Sequence, residues 1–228
     1  MFKKLTLAAL FVAALAGIPA HASVFQFTST VLSGGAAAPG ADLGNSNTFT
    51  VNGLSIVAKG YAISGATPDL YGKNGGADET GLGLTQDPGG DNEIAPTDYL
   101  QLDFADPSVN NPKKYNVTQV RIQFASVQAG ETWTLWGSNV AGKAPGAAGS
   151  TKLLDSTALA GGAQPEDLLV IPSFSSYRYF SATGGGTGNH NVLLGQIEVT
   201  ATPEPVSLLL VGSAFVGLGL GLRRYRRS

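Results

Sequence analysis

The chain has 228 residues, no cysteine and a formal net charge of −2. Disulfides, iron–sulfur clusters, thiol catalysis and cysteine-based zinc sites are therefore excluded, and any core has to hold by burial alone. Between residues 23 and 202 there are fifteen Asp/Glu against eight Lys/Arg, a balance of −7, which argues against nucleic acid as a partner and is compatible with neutral sugars or divalent cations.

The first twenty-two residues read as an export signal. Met1-Phe2-Lys3-Lys4 is a charged start, Leu5 to Ile18 is an apolar helical core, and Ala20-His21-Ala22 supplies an Ala-x-Ala site. Signal peptidase would cut there and leave Ser23 as the first mature residue. The secretion machinery and signal peptidase are thus expected partners, and residues 1–22 are set aside from the fold.

Residues 23–202 form the expected secreted domain. Of the 31 glycines, 26 lie in this segment, a composition that suits short strands joined by turns. Ser23 to Leu32 alternates as a strand. Ser33 to Ser46 is a Gly/Ala/Pro loop. Thr48 to Ala62 reads as a hairpin, turned at Asn52-Gly53. Ser64 to Pro96 is the least regular stretch and reads as one long loop, of a length that is often functional.

Further strands are predicted at Tyr99–Phe104, Val117–Ala125, Thr132–Gly137, Asp167–Ile171, Tyr177–Ala182 and Val192–Thr200. In Val117–Ala125 the parity turns Val120, Ile122 and Phe124 inward. Lys152 to Ala160 fits either a helical turn or an edge strand. About nine strands and no long helix outside the two terminal segments give an all-β domain, a two-sheet β-sandwich of jelly-roll type.

The chain ends in three parts. Thr202 precedes Pro203-Glu204-Pro205, then an uncharged apolar run of 17 residues, Val206 to Leu222, then Arg223-Arg224-Tyr225-Arg226-Arg227-Ser228. As a helix the run would be about 25 Å long, at the short end for a bilayer span. Arg223, Arg224, Arg226 and Arg227 favour a cytoplasmic C-terminus, with the domain outside.

Residues 203–228 together resemble the PEP-CTERM sorting signal of exopolysaccharide-producing Gram-negative bacteria. The resemblance implies recognition near Pro203-Glu204-Pro205 by an exosortase-type membrane enzyme and removal of the helix. The protein would be anchored briefly in the inner membrane, then released to the cell surface or extracellular matrix. Tyr177-Arg178-Tyr179-Phe180 followed by Val192 to Val199 resembles the closing strands of galactose-binding-like jelly rolls, in which the last strand returns near the N-terminus.

Three groups carry candidate chemistry. Asp78, Glu79, Asp87, Asp91, Glu93 and Asp98 crowd a glycine-rich stretch, and Asp87, Asp91 and Glu93 offer oxygens to a calcium ion; the alternative is a solvated acidic loop. Trp133 and Trp136 are candidates for stacking on sugar. Their odd separation puts them on opposite faces, so one belongs to the core. Tyr177 and Tyr179 are expected on one face, with Phe180 on the other. His190 is the only histidine of the secreted segment and has no nucleophile elbow before it. The expectation is a non-enzymatic matrix protein, associated with extracellular polysaccharide. The alternatives are a carbohydrate-binding module and a secreted hydrolase.

Overall fold

Asn52 and Gly53 close a two-residue turn between Val51 and Leu54, with φ of 51° and 78°. Two successive left-handed residues match the twist of an antiparallel pair, and Asn-Gly tolerates that conformation best. The predicted hairpin is therefore present, as β3 (Ser46–Val51) and β4 (Leu54–Ala62). The structure is a computed structural model and describes residues 21–27, 40–76, 79–85, 90–106, 108–114, 116–185 and 191–202.

The remaining strands are β1 (His21–Gln26), β2 (Ala41–Asp42), β5 (Leu70–Asn74), β6 (Thr80–Leu84), β7 (Asp98–Asp103), β8 (Asn116–Ala125), β9 (Thr132–Ser138), β10 (Ser150–Asp155), β11 (Leu169–Val170), β12 (Tyr179–Gly185) and β13 (Leu193–Thr202). They form two antiparallel sheets. One runs β11-β8-β13-β6-β5-β2, with β1 also paired to β13; the other runs β10-β9-β12-β7-β4-β3. No helix among the described residues is long and apolar enough to cross a membrane. The run Val206–Leu222 and the arginine tail lie outside the described residues, as do residues 1–20.

The two sheets meet face to face over one apolar core. Phe124 of β8 stacks on Trp133 of β9 at 4.1 Å between ring centroids. Phe27, just past β1, meets Phe49 of β3 edge-on at 5.0 Å. The predicted parity of β8 holds, since Val120, Ile122 and Phe124 are all buried. A β-sandwich follows from these contacts.

The long loop expected over Ser64–Pro96 is corrected by β5 and β6, which pair as a hairpin inside it. The sequence of β6, Thr-Gly-Leu-Gly-Leu, has poor strand propensity because glycine has no side chain to pack. Its glycines answer to a close approach instead. A Cβ on Gly83 would lie 2.0 Å from the Asn92 carbonyl oxygen, so only glycine fits there. The 150s resolve to the edge-strand alternative, since β10 pairs with β9 and is followed by one turn of 3₁₀ helix over Ser156–Ala158.

β1 starts two residues before the expected mature N-terminus. His21 and Ala22 pair with Ala201 and Thr200, and Ser23, which is buried, pairs with Val199. A cut after Ala22 would leave Ser23 to Gln26 paired and the Phe25 and Phe27 anchors in the core.

Candidate functional site

The outer face of the six-stranded sheet carries a groove built from strands distant in sequence. In β4, β7 and β12 alternate residues enter the core: Ile56 and Ala58, Leu100 and Leu102, Phe180 and Ala182. The intervening residues face out, as the two-residue strand period requires. Register then sets them side by side. Lys59 lies opposite Gln101, which lies opposite Ser181; Val57 lies opposite Asp103, which lies opposite Tyr179; Tyr61 lies opposite Tyr99.

A cleft of about 310 Å³ opens over this face, lined by Ser46, Val57, Lys59, Tyr61, Gln101, Asp103, Asp106, Ala141, Arg178 and Tyr179. One wall is the β9–β10 connection. Its Gly142 N–H donates to Gln101 Oε1 at 2.8 Å, and its carbonyl accepts from the Tyr99 hydroxyl at 2.7 Å. The connection thereby covers Tyr99, which is only 2% exposed although it faces outward.

The floor is a bidentate ion pair. Arg178 Nε lies 3.1 and 3.2 Å from the two Asp103 oxygens, and Arg178 Nη2 lies 2.6 Å from Oδ2. Asp103 Oδ1 also accepts from the Ala105 N–H at 2.8 Å. The hydrogen bonds that Arg178 donates to Asp103 raise the Arg178 pKa further above its ordinary value. Burial raises the Tyr61 phenol, helped by Tyr179 and Asp103, and raises Tyr179 likewise. Burial and then Tyr61 push Tyr99 up to about 12. The three phenols are therefore neutral hydrogen-bonding groups at physiological pH.

Half-exposed aromatic rings beside a planar donor–acceptor pair have a defined chemistry. A ring can stack on an apolar face of a ligand, and the charged pair can meet ligand hydroxyls with the N–H groups and oxygen lone pairs that its own contacts leave over. Sequence reasoning named none of the groove residues as a sugar site. The one available signal was parity, since Lys59, Tyr61, Gln101, Asp103 and Tyr179 all fall on the outward side of apolar strands.

The tryptophans divide as their parity requires. Trp133 is fully buried and donates Nε1–H to the Pro165 carbonyl at 2.9 Å. This corrects its candidacy for sugar stacking, because a ring packed on Phe124 presents no face to solvent. Trp136 is the outward one, half-buried, with Nε1–H on Thr134 Oγ1 and Lys152 5.6 Å from its ring centroid. It does not line the cleft. Tyr177 and Tyr179 do not share a face either. β12 begins at Tyr179, and Tyr177 bends inward over Gly137 to meet Phe180 edge-on at 6.5 Å.

The acidic stretch supplies a second cleft of about 500 Å³, lined by Gly75, Gly76, Glu79, Ser126, Val127, Gln128 and Glu166. At its base Lys73 Nζ lies 2.9 Å from Glu93 Oε1 and 3.3 Å from Glu79 Oε2. The Ser126 hydroxyl donates to the same Glu93 oxygen at 2.8 Å. Burial alone would lower the Lys73 pKa; the hydrogen bonds and charges of Glu93 and Glu79 outweigh it and raise it. Glu93, one of the three candidate calcium ligands, is thus buried and holds an ammonium. Asp91 Oδ1 accepts from Asn191 Nδ2 at 3.0 Å. Asp87 and His190 lie outside the described residues, and among the described residues no three His, Asp or Glu side chains gather as a metal site.

Searched against models of known families, curated proteins and solved structures, the chain matches none.

Proposed function

We propose that this is an exported, non-enzymatic β-sandwich that binds polysaccharide through the groove on its six-stranded sheet. The observation that carries this reading is the pairing, in one cleft, of the half-exposed Tyr61 and Tyr179 rings with the bidentate Asp103–Arg178 fork. Sugar C–H faces stack on aromatic rings, and adjacent hydroxyls can both accept from the guanidinium and donate to the carboxylate of a charged pair. Carbohydrate binding thereby moves from Trp133 and Trp136 to the tyrosines.

Export and sorting rest on the terminal segments of the sequence. Residues 1–22 direct secretion, and Pro203-Glu204-Pro205 with the apolar run and arginine tail direct exosortase processing to the cell surface or matrix. The register is compatible with that route. His21 pairs with Ala201, so both sorting segments join the domain at paired residues of adjacent strands. We read the sandwich as jelly-roll in type, since β13 returns to pair with β1 and most of the connections between the described strands cross from one sheet to the other.

A glycan array probed with the purified chain tests the binding. Wild type is expected to bind and Tyr61→Ala to lose binding while remaining folded; retention of every signal in Tyr61→Ala would move the site elsewhere. Intact mass of surface or matrix material tests the route. The expected mature chain begins at Ser23 and lacks Val206–Leu222, and a complete C-terminal helix on that material would sink the sorting reading.

A further inference from the structure

We infer that the ligand of this groove is a carboxylate-bearing glycan, a uronate-containing chain whose carboxylate sits at Lys59. The inference rests on the glycan reading of the groove and adds a charge to it.

The charges in the groove are unevenly matched. Asp103 is held by the Arg178 fork and by the Ala105 N–H. Asp106 Oδ1 accepts from the Ser108 N–H at 2.8 Å and its hydroxyl at 2.6 Å, and the Asp106 charge acts on Arg178 as well. Both carboxylates of the groove therefore lie at its Arg178 end. At the other end Lys59 stands opposite Gln101, one pleat away from the Asp103 row. Among the described residues no carboxylate lies within ion-pair distance of its ammonium.

Position makes that ammonium useful. Lys59 Nζ lies 5.4 Å from the centroid of Tyr61, the ring on which a sugar would stack. Cation and platform thus address the same sugar unit. A uronic acid carries an apolar ring face, vicinal hydroxyls and one carboxylate, which match Tyr61, the fork and Lys59 in turn. The carboxylate would also find the cationic end and avoid the Asp103–Asp106 end, so charge fixes the direction of the chain.

The domain as a whole is acidic, with −7 over residues 23–202, and repels long polyanions when salt is low. The probe should therefore be short and the salt near 0.15 M, where the screening length is about 8 Å. Tetragalacturonic acid and its carboxyl-reduced, neutral counterpart differ only in the group at issue. The full chain in neutral detergent is titrated with each. Wild type is expected to prefer the acid by about tenfold, the scale of one charge-assisted contact. Lys59→Gln should lose that preference and keep the neutral tetramer. Lys152→Gln removes the same charge away from the cleft and should keep the preference. Tyr61→Ala should lose both ligands.

Equal binding of the two tetramers by wild type, or a preference that survives Lys59→Gln, overturns the carboxylate inference and leaves the glycan reading in place. Equal loss in Lys59→Gln and Lys152→Gln also overturns it, since net charge rather than position would then decide. Wild type that binds neither tetramer, nor any glycan of the array, removes the inference and the reading together.

Discussion

Tyr61 lies nearly parallel to Tyr99, with ring centroids 5.2 Å apart and planes 11° apart. One ring of the pair is half-exposed in the groove and the other is sealed beneath the β9–β10 connection. The seal is polar: the Tyr99 hydroxyl reaches the Gly142 carbonyl. The same glycine holds Gln101 by its N–H, so one residue of the connection ties down two strand residues.

Tyr99→Phe tests that tie. It keeps the ring and removes the hydroxyl, leaving the Gly142 carbonyl to find water. The expected cost is about 1 kcal/mol, read by urea denaturation. Amide exchange in residues 140–146 should quicken more than in β7. Unchanged exchange there would mean that the connection is held by other contacts.

Asp103→Asn takes from Arg178 the carboxylate that its fork holds. The Arg178 side chain is 37% exposed, so water takes up part of the loss, and the expected destabilisation is about 1 kcal/mol. A sharper readout is optical. Asp103 raises both the Tyr179 and Tyr61 phenols, so in Asp103→Asn both should ionise at lower pH by ultraviolet titration. An unchanged titration would show that burial alone sets them.

How far this fold was legible depended on whether the cause was local. The Asn52-Gly53 turn and the parity of Val120, Ile122 and Phe124 are properties of short segments, and both appear as read. That Trp133 and Trp136 face opposite ways also followed from spacing. Which one faces the core did not, because it depends on Phe124 arriving from the other sheet. β6 was missed because its glycines serve a distant backbone rather than a local propensity. The groove was missed for the same reason. Lys59, Gln101 and Arg178 are far apart in the chain and meet only through the order β12-β7-β4.

The two tryptophans provide a direct test of sidedness. Trp133→Ala empties a fully buried site beside Phe124 and orphans the Pro165 carbonyl, with an expected cost of about 3–5 kcal/mol. Trp136→Ala removes a half-buried outer ring and should cost about 1 kcal/mol or less. Comparable costs by chemical denaturation would contradict the packing described for this strand.

Lys73 ties together two carboxylates of the acidic stretch, Glu93 at 2.9 Å and Glu79 at 3.3 Å. Lys73→Met would leave Glu93, with its side chain 4% exposed, buried without its ammonium. The expected loss is about 3 kcal/mol, followed as a fall in melting temperature. The double variant Lys73→Met/Glu93→Gln should recover much of it, because the uncompensated charge is gone. No recovery would mean that packing of the lysine stem, rather than charge, was the cause.

Lys113 provides a pH-dependent test with a definite sign. Its Nζ donates to the Phe174 carbonyl and lies 3.8 Å from the centroid of the Phe174 ring. Burial pulls its pKa down to about 8 from an ordinary value of 10.5. Between those values the folded chain has released this proton and the unfolded chain still holds it. Unfolding then takes up a proton, so stability should rise with pH across the window, a buried charge being relieved in the folded state. Tyr61, Tyr99 and Tyr179 act the other way from about pH 10, because their raised phenols stay protonated in the folded chain while the unfolded chain ionises. The comparison therefore belongs between pH 7 and 9.5. Melting temperatures of wild type and Lys113→Met, measured side by side, should show wild type gaining on the variant as pH rises through 8. A constant difference across that range would place the amine in contact with water at its ordinary pKa, and would overturn the buried setting described for it.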